Sequence, residues 1–382
     1  MVDPGAVRAF LEPSHLDLAG RVGAWCRAEL VERPEPPDDD AARGEAKALV
    51  RLMGHAGWYA PIRERDARGA CVVREALAWA SPLADAVWAL QGLGTTPLLL
   101  HGTAAQKERW LDAAGAGRCM TAFAMTEEGA GSDVAALSTR AEADAEGYVI
   151  SGEKTLISNA GIADLYVVFA STDPGAGSRG LTAFLVPADT PGLRFVEPQV
   201  MDAAHPLGRL ALDACRLPAG ARLGEEGQGF KVGMATLDRL RPTVGAAACG
   251  MAARALDEAL AHATTRHQFG RPLSDFQLVQ EKLGRMAVEL DAARLLVYRA
   301  AWEADGGAER ITVEAAMAKA HATETAQKVV DEAVQILGGR GVLRDHPVDR
   351  LYRSVRALRI YEGTTEIQRL IVARALIAKE GR

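Results

Sequence analysis

Four stretches of this sequence carry residue types whose spacing could do chemistry. Ala124 to Asp133 reads Ala-Met-Thr-Glu-Glu-Gly-Ala-Gly-Ser-Asp. Gly129 and Gly131, separated by one alanine and followed by Ser132, give a loop whose backbone can approach a ligand closely, with amides and hydroxyls free to bond it. Such a loop suits an extended polar cofactor, although short glycine patterns also recur by chance in ordinary surface turns. Arg266, within Arg266-His267-Gln268-Phe269-Gly270-Arg271-Pro272-Leu273, could supply a bidentate clamp for phosphate. Gly338 and Gly339, behind Gln335, would let backbone amides approach an anion at a helix end. A solvated cation and a plain helix cap account for the same residues taken singly. Finally, Glu362 stands in Ile360-Tyr361-Glu362-Gly363-Thr364-Thr365-Glu366-Ile367-Gln368. Tyr361 and the apolar neighbours would desolvate that carboxylate and raise its pKa toward the working pH, which suits a general base. The alternative is a solvated glutamate near a helix start, where carboxylates favour the dipole.

Bulk properties narrow the field. At 382 residues, 48% hydrophobic and 25% charged, the chain is long enough for two or three domains with substantial cores. A net charge of -6 argues against a nucleic-acid partner, which usually demands a basic face. No stretch approaches the roughly 18 apolar residues needed to span a bilayer, and no leader is expected, so the expected location is cytoplasmic with no membrane insertion. The five cysteines are scattered without a C-x-x-C pair, and no histidine cluster has metal-ligand spacing, so reduced thiols and no metal are expected. Neither H-E-x-x-H nor the G-x-S-x-G elbow of a serine hydrolase occurs.

The elements that must position these residues follow from periodicity. Residues 1–117 read as helical, interrupted by a Pro-rich, acidic loop at Arg33 to Asp40. Thr103 and Gln106 predict a capping box opening that domain's last helix. Residues 118–223 switch to short β-rich runs at Tyr148–Ile150, Leu165–Ala170, Leu181–Val186 and Leu193–Val196, the spacing of a small antiparallel sheet domain. From residue 224 to 382 the chain is helical again. Pro242 predicts a kink or split near Arg241. Ser274 and Gln277 predict a capping box ahead of a long helix with Val279, Leu283, Met286, Leu290, Ala293, Val297 and Ala300 on one seam. Thr312 to Leu337 predicts a helix closed by a left-handed glycine cap, and Thr364 or Thr365 caps the last helix. The expected fold class is α+β and multidomain: an N-terminal helical domain, a central antiparallel β-domain and a C-terminal four-helix bundle.

The four stretches, in this order, closely resemble the signatures of the acyl-CoA dehydrogenase family over about Leu98 to Ala378. The resemblance implies FAD as cofactor, with Phe123, Met125, Thr126, Gly131 and Ser132 lining the flavin and thioester. Gly152 to Asn159 is similar to the segment beside the flavin ring, bringing in Leu156 and Ser158. Arg266 and Phe269 would reach the FAD of a neighbouring subunit, and Gln335, Gly338 and Gly339 would lie along its pyrophosphate and adenosine. Gln277, Thr364 and Glu366 complete the implied cofactor set. Ser132, Arg241, Tyr361, Glu362 and Gly363 form the implied substrate set. Glu362 occupies the position of the α-proton base. Leu240, where a minority of the family places that base, is inert. The implied reaction gives a trans-2-enoyl thioester, with the carbonyl oxygen held by the Glu362 amide and a flavin ribityl hydroxyl. The implied electron acceptor is electron-transferring flavoprotein, and the implied assembly is a homo-oligomer, dimer or tetramer. The sequence departs from the pattern at Glu128, where proline is common, and at Leu156, where an aromatic residue is common. Ser81 to Leu100 contains no arginine, whereas members of the family acting on dicarboxylic acyl groups use one in the corresponding region, so the resemblance disfavours a free distal carboxylate. CoA and a carrier protein present the same thioester. An acyl-CoA oxidase, whose usual extra C-terminal domain finds no room here, and a nucleic-acid-associated homologue are the alternatives.

Overall fold

A computed structural model describes residues 4–380. Six helices open the chain: α1 (Pro13–Glu29), α2 (Asp39–His55), α3 (Ala60–Glu64), α4 (Ala67–Ala80), α5 (Pro82–His101) and α6 (Ala104–Gly115). Eight strands follow: β1 (Thr121–Ala124), β2 (Arg140–Ala143), β3 (Gly147–Ser158), β4 (Leu165–Ser171), β5 (Leu181–Pro187), β6 (Leu193–Pro198), β7 (Leu207–Pro218) and β8 (Arg222–Leu223). Next come α7 (Gly229–Thr265), a hairpin of β9 (His267–Gln268) and β10 (Arg271–Pro272), and then α8 (Gln277–Asp305), α9 (Thr312–Leu337), α10 (Pro347–Leu358) and α11 (Thr365–Glu380). These elements form two compact units. Residues 35–65 and 86–237 make a sheet unit, and residues 4–34, 66–85 and 238–380 make a helical unit.

In the sheet unit the strand order is β6-β7-β3-β2-β4-β5-β8, with β1 beside β4. Most neighbours are antiparallel, as the sequence predicts, but β1 and β2 each run parallel to β4. Every residue of β4 is buried, because both of its faces are covered. Tyr166, Val168 and Ala170 join one apolar cluster with Ile150, Phe184 and Leu210. Leu165, Val167 and Phe169 join the other, with Leu181, Leu98 and Val232. The period of two along the strand sorts its side chains between the two cores. At α6 the predicted box forms: Thr103 Oγ1 accepts from the Gln106 amide at 3.2 Å, and Gln106 Oε1 accepts from the Thr103 amide at 2.9 Å.

In the helical unit α9 packs against α8, α10 and α11, and α4 packs against α1 and α8. Buried Ala315, Ala316, Ala318, Ala322 and Ala326 let neighbouring helices approach α9 closely. Met286, Leu290, Ala293, Val297 and Ala300 of the predicted α8 seam are buried. Three local expectations are corrected. The Ser274–Gln277 box is absent: Ser274 sits in a 3-10 turn, and Phe276 precedes α8 without a side-chain cap. Of the kink or split expected at Pro242, the split does not occur, because α7 runs on past it as one helix. Gly338 closes α9 with φ 59° and ψ -136°, a conformation that suits glycine but is not the left-handed helical one. All five cysteines are free and buried, and burial pushes the Cys215 thiol up to about 11.

Candidate functional site

Glu362 lies in the short turn between α10 and α11, and its side chain is only 6% exposed. Its backbone is left-handed (φ 54°) and is followed by Gly363 at φ 91°. A non-glycine residue in that region costs about 1–3 kcal/mol, so the surroundings must enforce it. They do so through two carbonyls. Arg241 Nε and Gln368 Nε2 donate to Glu362 O at 3.2 and 3.3 Å. Lys319 Nζ and Gln368 Nε2 donate to Gly363 O at 2.7 and 3.1 Å. A Cβ at Gly363 would meet Gln368 Nε2 at 2.5 Å, so only glycine admits this clamp. With both carbonyls occupied, the Glu362 amide has no acceptor among the described residues.

The carboxylate itself is left under-bonded. Oε1 is 4.0 Å from Arg74 Nη1, and Oε2 is buried with no hydrogen-bond partner. Burial raises the Glu362 pKa, while Arg74, Lys319 and Arg241 pull against it. A carboxylate oxygen that is desolvated and free of donors is chemically suited to accept a proton. The solvated alternative is thereby excluded. Lys319 is pushed down to about 8 by burial, which the Glu362 carboxylate partly offsets. Arg241, expected at the substrate, braces the Glu362 carbonyl and pairs with Asp238 at 2.5 Å. Tyr361 is half-buried beside the turn. Thr364 Oγ1 accepts from the Ile367 amide at 3.3 Å and so caps α11, with Glu366 exposed in its first turn.

The sheet unit holds the glycine loop. Phe123 on β1 packs against Phe169 with tilted rings, centroids 4.8 Å apart, and Met125 is buried. Thr126 is half-buried, and its carbonyl accepts from the Thr155 amide at 3.0 Å. Gly131 and Ser132 are exposed, and a Cβ built at Gly129 or Gly131 meets nothing within 4 Å. Leu156 is 56% exposed at φ 54°, its amide tied to Gln199 Oε1 at 2.7 Å. Ser158 Oγ bonds His205 Nε2 at 2.8 Å, and burial pushes that histidine down to about 4, which keeps it neutral. Glu128 is exposed and faces Arg209, with 3.6 Å between Oε2 and Nη2.

The remaining expected cofactor residues lie exposed on the helical unit. Phe269 is 93% exposed at φ 53° on the tip of the β9–β10 hairpin, and Arg266 precedes that hairpin. Gln277 opens α8, while Gln335, Gly338 and Gly339 lie at the end of α9. Burial holds His262 below its ordinary pKa, and the charges of Arg340 and Arg266 add to the effect. Each unit by itself offers groups that suit FAD: open glycine backbone and exposed Leu156 in the sheet unit, and exposed Arg266 and Phe269 in the helical unit. Among the described residues His15, Asp66 and Asp305 could present ligand atoms to a metal ion. Their carboxylates already serve α4: Asp66 accepts from Gly69, and Asp305 accepts from the Ala67 and Arg68 amides.

Sequence reasoning missed five residues around these segments. Lys319 and Gln368 clamp the Glu362 turn, and buried Arg74 stands beside the carboxylate. Lys154 and Glu127, paired at 2.7 Å, anchor the start of the glycine loop. Lys154 alone carried a readable signal: the alternation of β3 turns it inward with Tyr148 and Ile150, and an inward lysine demands a carboxylate.

Three sequence models match in order: acyl-CoA dehydrogenase N-terminal domain over residues 12–118, middle domain over 122–215, and C-terminal domain over 227–377. A probable acyl-CoA dehydrogenase of Mycobacterium tuberculosis is 39% identical, with 96% of each chain covered. The mitochondrial short-chain specific acyl-CoA dehydrogenase of Bos taurus is 44% identical over 74% of this chain and 68% of its own. Among solved structures, butyryl-CoA dehydrogenase from Megasphaera elsdenii superposes with a TM-score of 0.90 at 33% identity, covering 96% of this chain and 99% of that one.

Proposed function

We propose, from the premise that this chain belongs to the acyl-CoA dehydrogenase family, that it desaturates a short acyl thioester with Glu362 as the α-proton base. The reaction class is FAD-dependent dehydrogenation of an acyl thioester. FAD, when bound, supplies a hydride acceptor that no amino-acid side chain can replace. The chain's own residues do the rest. The Glu362 amide, left without an acceptor, would donate to the thioester carbonyl and favour the developing enolate. Glu362 would take the α-proton on its unbonded Oε2. Arg241, Gln368 and Lys319 would hold the turn still while it does so.

The observation that carries this reading is the buried, under-bonded Glu362 carboxylate on a clamped left-handed turn. A short acyl group is favoured by the short-chain and butyryl specificities named for the relatives. Anaerobic bleaching of the bound flavin against a panel of acyl-CoA and acyl-carrier thioesters tests it, and a maximum at long chains would contradict it. Peroxide yield under air, compared with dye reduction, separates a dehydrogenase from an oxidase.

The purified protein is expected to be yellow, with one FAD per chain by absorbance after denaturation. A colourless protein that takes up no added FAD would end the assignment of Thr126, Ser132, Arg266 and Gln335. The cofactor set keeps Phe123, Met125, Gly131, Leu156, Ser158, Phe269, Gln277, Gly338, Gly339, Thr364 and Glu366 in the same role. Exposed Phe269, Leu278, Val288 and Val342 on the helical unit support a homo-oligomer in which Arg266 and Phe269 serve a neighbour's cofactor. Light scattering is expected to give a dimer or tetramer, and a flavin-loaded monomer would refute it. Electron-transferring flavoprotein as acceptor, a cytoplasmic location and functional domains at 1–117, 118–223 and 224–382 belong to the same reading. No helix among the described residues is long and apolar enough to cross a membrane.

A further inference from the structure

Arg74 on α4 is 1% exposed, a setting that a guanidinium tolerates only when its charge is answered. Its Nε donates to Asp85 Oδ1 at 2.8 Å and its Nη1 to Thr243 Oγ1 at 2.9 Å. The pairing with Asp85 is monodentate. Arg74 Nη2 and Asp85 Oδ2 are both buried without a partner, although a bidentate fork would have satisfied an atom on each side. The guanidinium is turned instead so that Nη1, anchored by Thr243, stands 4.0 Å from Glu362 Oε1. That separation places the cation's field on the carboxylate without a hydrogen bond that would block proton transfer.

Other charged groups face Glu362, and each is otherwise engaged. Lys319 from α9 is spent on Gly363 O, and Arg241 from α7 on Glu362 O and Asp238. Asp85 from α5 opposes them by sign, and Tyr361 lies on the same turn. Among the described residues, the cation within 4.0 Å of the carboxylate itself is Arg74. We infer that Arg74 is a positioning residue for the base: clamped by Asp85 and Thr243, it orients the Glu362 carboxylate and sets the pH at which that carboxylate is free to take a proton. This rests on Glu362 being the base. The electrostatics agree, since burial raises the Glu362 pKa and Arg74 is the strongest charge acting to lower it.

The test is the pH profile of anaerobic flavin reduction in Arg74→Gln, Arg74→Lys, Asp85→Asn and the Arg74→Gln/Asp85→Asn double variant. An infrared titration of the resting holoenzyme runs in parallel, with the Glu362 carboxyl band assigned by its absence in Glu362→Gln. Loss of the cation is expected to move the acid limb and the band upward by about one to three pH units, because an opposite charge at this range lowers a carboxyl by that much. Asp85→Asn is expected to move both downward, Arg74→Lys to restore most of the parent profile, and the double variant to fall between the single ones. A merely structural role would weaken all variants without moving the limb in opposite directions. If Arg74→Gln does not fold, Asp85→Asn and Arg74→Lys still test the sign. Unmoved bands, or single variants that shift the same way, overturn the inference. Undiminished flavin reduction in Glu362→Gln would instead refute the base, whatever the infrared titration shows of Arg74.

Discussion

Glu362→Gln is expected to keep the fold and the FAD while losing about 10²-fold to 10⁴-fold in turnover, or roughly 3–5 kcal/mol of barrier. The amide is nearly isosteric and leaves the turn intact, because the clamp acts on the Glu362 and Gly363 carbonyls and not on the side chain. It cannot accept the α-proton. The loss is therefore expected in the rate of flavin reduction at saturating substrate, with thioester affinity little changed.

Stability should move the other way. A carboxyl whose pKa is raised by folding contributes stability below its unfolded pKa and loses it as pH rises through the folded one. Glu362 is such a group, since burial raises it, so ionising it costs stability in a way that glutamine does not. The holo variant is expected to melt no lower than the parent at neutral pH. Stopped-flow reduction as fast as in the parent would mean that another group takes the proton. Leu240, buried and without an acceptor, offers no substitute.

Legibility in the sequence followed the range of the interactions. The α6 capping box, the Thr364 cap and the α8 seam were readable because each involves residues three or four apart. The strands β3 to β6 were readable from β-branched and aromatic runs. In contrast, β7 mixes Gly208, Arg209, Ala211, Asp213 and Ala214 among its apolar residues, and Ala214 adopts φ 52°, so its alternation is blurred. The parallel pairing of β1 with β4 joins strands about forty residues apart and has no local signature. The Ser274–Gln277 box has the right letters, but a 3-10 turn occupies its place.

The site divides similarly. Glu362 and the glycine loop were legible as motifs, and desolvation of the carboxylate was legible from its flanks. Lys319 lies 43 positions before Glu362 and Arg74 lies 288 before it, and each becomes relevant only through helix packing. The residues expected at the cofactor but exposed here, Arg266, Phe269 and Gln335, share a different logic. Their left-handed or glycine-flanked hairpin and helix end present them outward, where a single chain gives them nothing to bind.

Lys154→Met carries the largest expected loss of stability, about 3–5 kcal/mol, because it strands one half of a buried ion pair. Lys154 is fully buried, and its Nζ donates to Glu127 Oε1 at 2.7 Å and to Met125 O at 3.3 Å. Glu127 also accepts from the Ser138 hydroxyl at 2.7 Å and the Thr139 amide at 3.0 Å. One carboxylate thus ties β3, the glycine loop and the approach to β2 together. Burial alone would raise the Glu127 pKa, but Lys154 and those hydrogen bonds hold it at about 2. The sign follows from that depression: the stabilisation is complete above the unfolded value of 4.5 and is lost as pH falls toward 2. In Lys154→Met the carboxylate keeps its neutral donors and loses its cation, so the variant is expected to be impaired most at neutral pH and to converge on the parent in acid. Because Met125 and Glu127 flank Thr126, the same change is expected to weaken FAD retention, read as a higher flavin dissociation constant by fluorescence. A urea midpoint and a flavin affinity both equal to the parent's at neutral pH would show that the pair neither supports the sheet unit nor fixes the loop.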